Sequence, residues 1–231
     1  MSKDPSCCSE GLIPAEPLPP GADDFTDSMH TLIDGSPKDE ATVAEVLAGQ
    51  KETIDQIAAR MYAMASMLVG AGEEGMRLVE TAVANTEISI CHDPQAARHS
   101  ARRAMAQAAI VLLAERAPGC LNAPVDMDVP CTCIEDGELD AAGVSSEELE
   151  TMIAGPDRER LRTWLESLPA DQRAIFVLRA VGAISSQETA AMLQAHGGPG
   201  AAAWTADLVR EVFRIGLCSL ATHLLHASGP R

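Results

Sequence analysis

Aromatic side chains are nearly missing from this chain: across 231 residues there are two Trp, one Tyr and three Phe. Sheets draw on aromatic and β-branched side chains for cross-strand contacts, whereas the Ala, Leu and Met that dominate here suit packed helices. The composition predicts an all-α protein. Lysine is as scarce, with Lys3, Lys38 and Lys51 alone, so the chain lacks the clustered cations that neutralise phosphates and supply most sequence-independent nucleic-acid affinity. No apolar run approaches the roughly 20 residues that span a bilayer. The amino terminus also lacks the charged, apolar, then small-residue order of a secretory signal. The expectation is a cytoplasmic protein with no membrane association.

Also absent are a nucleophile elbow, a phosphate-binding glycine loop, a His-Glu-x-x-His helix and paired carboxylates in an apolar frame. An enzyme is therefore not expected. The seven cysteines are odd in number and irregular in spacing, unlike a secreted disulfide framework, and in a reducing compartment they would be free thiols or ligands. Cys131-Thr132-Cys133 is a C-x-C pair that suits Zn or Cu(I), although the paired C-x-x-C spacing of structural zinc sites is missing. Cys131 and Cys133 are the candidate metal ligands; the alternative is a pair of reduced surface thiols. Cys120 and Cys218 read as core or near-core thiols.

What the chain has in excess is negative charge, a formal −17 that is unevenly placed. Of its 34 acidic residues 27 precede Pro156, against 9 of its 17 basic ones. The acidity belongs to the first two thirds, and the last third is near neutral.

Taken in order, residues 1–40 hold Pro14, Pro17, Pro19, Pro20 and Pro37 with little apolar periodicity, and read as a flexible arm. Residues 41–117 read as a helical bundle. Its first helix runs from Ala41 to Val69 with Ile54, Ile57, Ala58, Met61, Ala65 and Leu68 on one face, and Gly70-Ala71-Gly72 stops it. A second helix follows from Glu73 to about Ser89, with a buried stripe of Met76, Val79 and Val83. The third, Gln95 to Arg116, turns Ala104, Ala108, Val111 and Leu112 inward, and its Arg98, Arg102 and Arg103 form the densest positive cluster. That cluster is either a face balancing nearby carboxylates or a surface for an anionic partner. Residues 118–155 carry nine acidic residues and no Lys or Arg, and read as an acidic linker. Ser145, three before Glu148, caps a short helix within it.

Residues 156–231 carry the most specific pattern. Leu161, Trp164, Leu165 and Leu168 mark one amphipathic helix. Leu168-Pro169-Ala170-Asp171-Gln172-Arg173 opens the next, which Gly182 ends. Ser185 and Glu188 form a capping box for Ser186 to Gln194. After a glycine-rich turn, Thr205 to about His226 is a long final helix with Leu208, Val212, Ile215, Leu220 and Leu224 as its stripe.

These motifs resemble the promoter-binding domain of sigma-70-family transcription factors of the extracytoplasmic-function type. The matching stretches are Leu168 to Arg173, Ser185-Ser186-Gln187-Glu188-Thr189-Ala190-Ala191-Met192-Leu193 and the helix after Thr205. The bundle is similar to that family's core-binding domain through Met61-Tyr62-Ala63-Met64-Ala65 and Glu73-Glu74-Gly75-Met76-Arg77-Leu78-Val79-Glu80-Thr81. The resemblance implies a helix-turn-helix at the carboxyl end and a role linked to transcription, with RNA polymerase core, an anti-sigma-like protein or another complex as partner. It places possible nucleic-acid contacts at Thr205, Arg210 and Arg214 and a partner surface at Arg77 and Glu80, to which the positive cluster of Arg98, Arg102 and Arg103 adds on charge alone.

This chain also departs from the family. Its members present an Asp near the position of Arg77 and a Gln near Glu80, and they melt promoters with aromatic and basic residues in and after the third helix. No aromatic residue lies between Ser89 and Arg116. Ala195 to Trp204 replaces a turn of three or four residues, and its glycines predict a flexible loop that does not hold the last helix at a fixed angle. Asp207 and Glu211 would face phosphates unfavourably. The expected function is regulation by protein–protein binding, with promoter recognition weakened or lost. The alternatives are a functional sigma factor and a thiol-based metal or redox sensor.

Overall fold

The computed structural model describes residues 37–85, 93–125, 134–143, 145, 147–148, 151, 155 and 158–227. Every element among them is helical, in keeping with the scarcity of strand-forming residues. The helices are α1 (Pro37–Val69), α2 (Glu73–Ala84), α3 (Pro94–Arg116), α4 (Asp136–Ala141), α5 (Arg158–Ser167), α6 (Ala170–Phe176), α7 (Ser186–His196) and α8 (Ala206–Ala227). The arm up to residue 36 and the cysteines Cys131 and Cys133 lie outside the described residues.

Contacts divide the chain into two units, Met1–Gln56 with Ser89–Ala97, and Ile57–Ile88 with Arg98–Arg231. In the first unit, Asp93 starts α3: its Oδ1 accepts from the backbone N–H groups of Gln95 at 2.8 Å and Ala96 at 3.1 Å. This satisfies two donors that have no intrahelical partner.

The second unit holds residues 57–88 and 98–117 of the region expected as a bundle, together with the region expected as a helix-turn-helix. Met61, Met64, Ala65 and Leu68 of α1 are buried, as their three- and four-residue spacing requires. In α2 the buried residues are Gly75, Leu78 and Ala82, whereas Met76 and Val83 are each 50% exposed. The helix is thus turned about one residue from the expected stripe. Close approach explains the turn: a Cβ on Gly75 would stand 3.0 Å from the Gly70 carbonyl oxygen and 3.6 Å from the Tyr62 ring. Small residues let α2 sit tightly, and the larger apolar side chains are left outside.

The carboxyl-terminal core is built on the few aromatic residues. Trp164 of α5 meets Phe176 of α6 edge to face at 4.8 Å, and Phe176 lies 5.9 Å from Phe213 of α8. Gly216 admits the Phe176 ring, which a Cβ there would meet at 3.1 Å. α8 packs across α6 and α7 through Val209, Val212 and Phe213. Leu208, Ile215 and Leu220, expected in its stripe, are only half-buried.

Three local signals appear as the sequence predicts. Ser185 and Glu188 form a reciprocal capping box at the start of α7. Ser145 and Glu148 make the same pair of bonds, at 2.9 and 3.2 Å. Gly182 closes the helix before α7. The manner of closing is new. Residues Val177–Val181 widen into a π-helical turn, with the Gly182 N–H donating to Val177 at 3.0 Å, and Ala183 takes the left-handed φ of 49°. Such widened turns insert one residue and redirect side chains.

Candidate functional site

The π-turn's effect falls on Arg179, which it turns into the core, leaving the residue 6% exposed. Its Nη1 donates to the Ile184 carbonyl at 2.8 Å and its guanidinium carbon lies 5.1 Å from the centre of the Phe213 ring. Its Nη2 reaches Asp140 of α4 at 3.9 Å. Burial pushes this guanidinium below the ordinary arginine value; Asp140 opposes the shift and Arg210 adds to it.

Asp140 serves a second arginine. Arg210 of α8 donates from Nη2 to both Asp140 oxygens, at 3.2 and 3.4 Å, while its Nη1 lies 3.8 Å from Asp207. α4 is held in place by Leu139, which is fully buried. The stretch expected as an acidic linker therefore places Leu121 and Leu139 in the core and the Asp140 carboxylate against the final helix.

The other candidate nucleic-acid contacts are engaged as well. The Arg214 side chain is only 13% exposed and donates to both Glu211 oxygens at 3.0 and 3.1 Å. Thr205 accepts from the Leu208 N–H at 3.1 Å, capping α8 with the hydroxyl that would have faced a base. The glycine-rich stretch before it is not a loose loop. Residues Pro199–Ala203 form a 3₁₀ turn, and Trp204 is fully buried with Nε1 donating to the Leu121 carbonyl at 2.8 Å. The Ala123 N–H donates to Gly200 at 3.1 Å, and Gln194 donates to the Trp204 carbonyl. The physical reason is distant in sequence: residues 121–123 supply the partners that a local reading could not see.

The basic cluster of α3 also meets protein groups, while the Arg103 and His99 side chains stay about half exposed. Arg103 and His99 lie 3.8 and 3.4 Å from Oε1 of Glu188, the capping residue of α7. Arg102 donates to the carbonyls of Arg98 and Gly182, at 3.2 and 3.4 Å. The cluster thus forms part of the seam between α3 and the start of α7. Arg77 and Glu80 remain on the surface of α2, with Arg77 3.7 Å from Glu73. Beside them a groove of about 400 Å³ runs between α2 and α3, floored by Leu78, Ala104 and Leu112.

Cys131 and Cys133 lie outside the described residues, among which no cluster of three metal-ligating side chains occurs. Cys120 is a free thiol. Cys218 is buried as expected and is disulfide-bonded, which differs from the expectation of free thiols or ligands. Sequence spacing does not say which thiols meet in space. No helix among the described residues is long and apolar enough to cross a membrane.

Sequence reading missed Arg179, Asp140, Leu139 and the anchoring role of Trp204. The available signal was Leu139, an apolar residue inside an otherwise polar run. No protein-family model, curated protein or solved structure matches the chain.

Proposed function

We propose that this protein is a sigma-factor-like regulator linked to transcription, which acts by binding a protein partner and has weakened or lost promoter recognition. The observation that carries the second half of this reading is the pairing of Arg210 with Asp140 and of Arg214 with Glu211. Asp207, Arg210, Glu211 and Arg214 sum to no net charge, and Asp140 adds a negative one. Duplex affinity rests on releasing counterions from phosphates, and a face without net positive charge has little to release them with. The partner classes are RNA polymerase core, an anti-sigma-like protein or another complex, and the groove between α2 and α3 beside Arg77 is the surface offered to it.

One observation favours the alternative, a working sigma factor that directs polymerase to promoters. The 3₁₀ turn and the buried Trp204 hold α8 at a fixed angle to α7, which groove reading requires. The two readings part in one experiment: the tagged full chain is used to recover partners from native extract, and the recovered complex is titrated with duplex promoter fragments at several salt concentrations. A partner retained without salt-dependent DNA binding agrees with the proposal. Salt-dependent promoter binding that disappears on Arg210→Glu would overturn it in favour of the alternative.

A further inference from the structure

A second pocket, of about 280 Å³, opens where the end of α1, the end of α3, α5 and the start of α6 converge. Its apolar wall is Met67, Leu68, Leu113 and Leu165. Its size is near the lower end of small-molecule sites, about 300 Å³.

Three arginines reach its lining, and two of them are already satisfied. Arg116 is bound by both oxygens of Glu74, at 2.7 and 3.3 Å. Arg162 lies between Glu159 and Glu166, at 3.0 and 3.4 Å. Arg173 is different. It is half-buried, its Nε is closed off from solvent with no acceptor, and the structure gives its guanidinium no carboxylate or carbonyl partner. Among the described residues it is the half-buried arginine left in this state. A guanidinium presents a planar fork of donors that matches a carboxylate, and leaving a desolvated donor unmade is costly.

The thiol of Cys120 completes the lining. Its Sγ donates to the Leu113 carbonyl at 3.3 Å. Burial, and then Asp171, push this thiol above its ordinary range despite the opposing pull of Arg173. Cys120 is therefore a neutral wall of the pocket near neutral pH and becomes a thiolate only at alkaline pH. Glu166 on the rim disfavours a dianion such as phosphate.

We propose that this pocket binds a small monocarboxylate with a short apolar body, its carboxylate held by Arg173 and its body against Met67, Leu68, Leu113 and Leu165. One cation that makes no direct ion pair among the described residues, set at the end of an apolar recess, matches one anionic head on one apolar tail. The site is independent of the transcription-linked reading and would stand if that reading failed.

Cys120 supplies the test, because a ligand in the pocket covers its thiol. The full chain is alkylated with iodoacetamide at alkaline pH with octanoate or with octanol, and labelling of Cys120 is followed by peptide mass spectrometry. Octanoate is expected to slow labelling of Cys120, while octanol has roughly ten-fold less effect at equal concentration, the order lost with one charge-assisted hydrogen bond. Arg173→Gln abolishes the difference between the two probes and Arg173→Lys restores part of it. Equal protection by octanol, or none by octanoate, overturns the proposal. The wild-type comparison needs no variant, so a poorly folding Arg173→Gln leaves the test intact.

Discussion

Asp140 and Arg210 meet at 3.2 Å although seventy residues separate them in sequence. The contact joins a short acidic helix to the face of α8 that a helix-turn-helix would turn toward DNA. Surface ion pairs of this kind contribute little to stability, about 0–1 kcal/mol, so the effect to look for is on charge. Asp140→Asn is expected to raise non-specific duplex affinity about two- to five-fold and to steepen its salt dependence by roughly one phosphate contact. Fluorescence anisotropy with a labelled duplex at graded salt reads both quantities. An unchanged salt slope would mean that Arg210 is not the residue being masked.

The turn between α7 and α8 depends on Trp204, whose ring is fully buried and whose indole N–H meets the Leu121 carbonyl. Trp204→Ala is expected to cost about 3–5 kcal/mol, the range for removing a large aromatic side chain from a core. Trp204→Phe keeps most of the volume and leaves the Leu121 carbonyl unpaired, at about 1–3 kcal/mol. Urea unfolding measures both. Equal losses in the two variants would contradict the hydrogen bond's separate contribution.

That turn also shows where sequence reasoning succeeded and where it stopped. The capping box of Ser185 and Glu188 was legible because both partners lie within one helical turn, and their spacing alone specifies the bonds. The glycines at 197, 198 and 200 read as looseness because their restraints come from residues 121–123, about eighty positions away. Arg210 and Arg214 were legible as candidates by position on α8, but their carboxylate partners were not. For α2 the apolar period was correct and its phase was not, since Gly75 and Ala82 pack more tightly than Met76 and Val83 can.

Gly200 tests the same docking from the other side. A Cβ built on it would overlap the side-chain amide of Asn122. The exposed Asn122 side chain must swing aside, so Gly200→Ala is expected to destabilise by less than the ~1–3 kcal/mol of overpacking a closed core. Asn122→Ala removes the opposing atoms and should recover much of that loss in the double variant, a coupling that independent sites would not display. Thermal unfolding of the two single variants and the double variant closes the cycle; additive losses would show that the turn does not rest on Asn122.

Glu188 links the capping box to the α3 seam, and its titration makes that link measurable. Burial acts to raise its pKa, but the hydrogen bonds from Ser185, with His99 and Arg103 alongside, outweigh burial and hold the carboxylate below its ordinary 4.5. A carboxyl group whose pKa is depressed by folding adds stability that is present above its unfolded value and is lost as pH falls through the folded value. The wild-type protein should therefore lose a Glu188-dependent share of its stability on acidification below about pH 4.5. Glu188→Gln should be less stable at neutral pH, where the ionised carboxylate contributes most, and should show a shallower decline toward acid. Ser185→Ala removes the reciprocal cap and is expected to cost about 1 kcal/mol. Because Ser185 supplies the larger part of the downward pull, Ser185→Ala should also flatten the acid decline partway toward that of Glu188→Gln. Urea midpoints measured from neutral to acid pH for the wild type and both variants decide this. A Ser185→Ala protein with an acid decline as steep as the wild type would assign the depressed carboxylate to His99 and Arg103 instead, and with it the hold of α3 on α7.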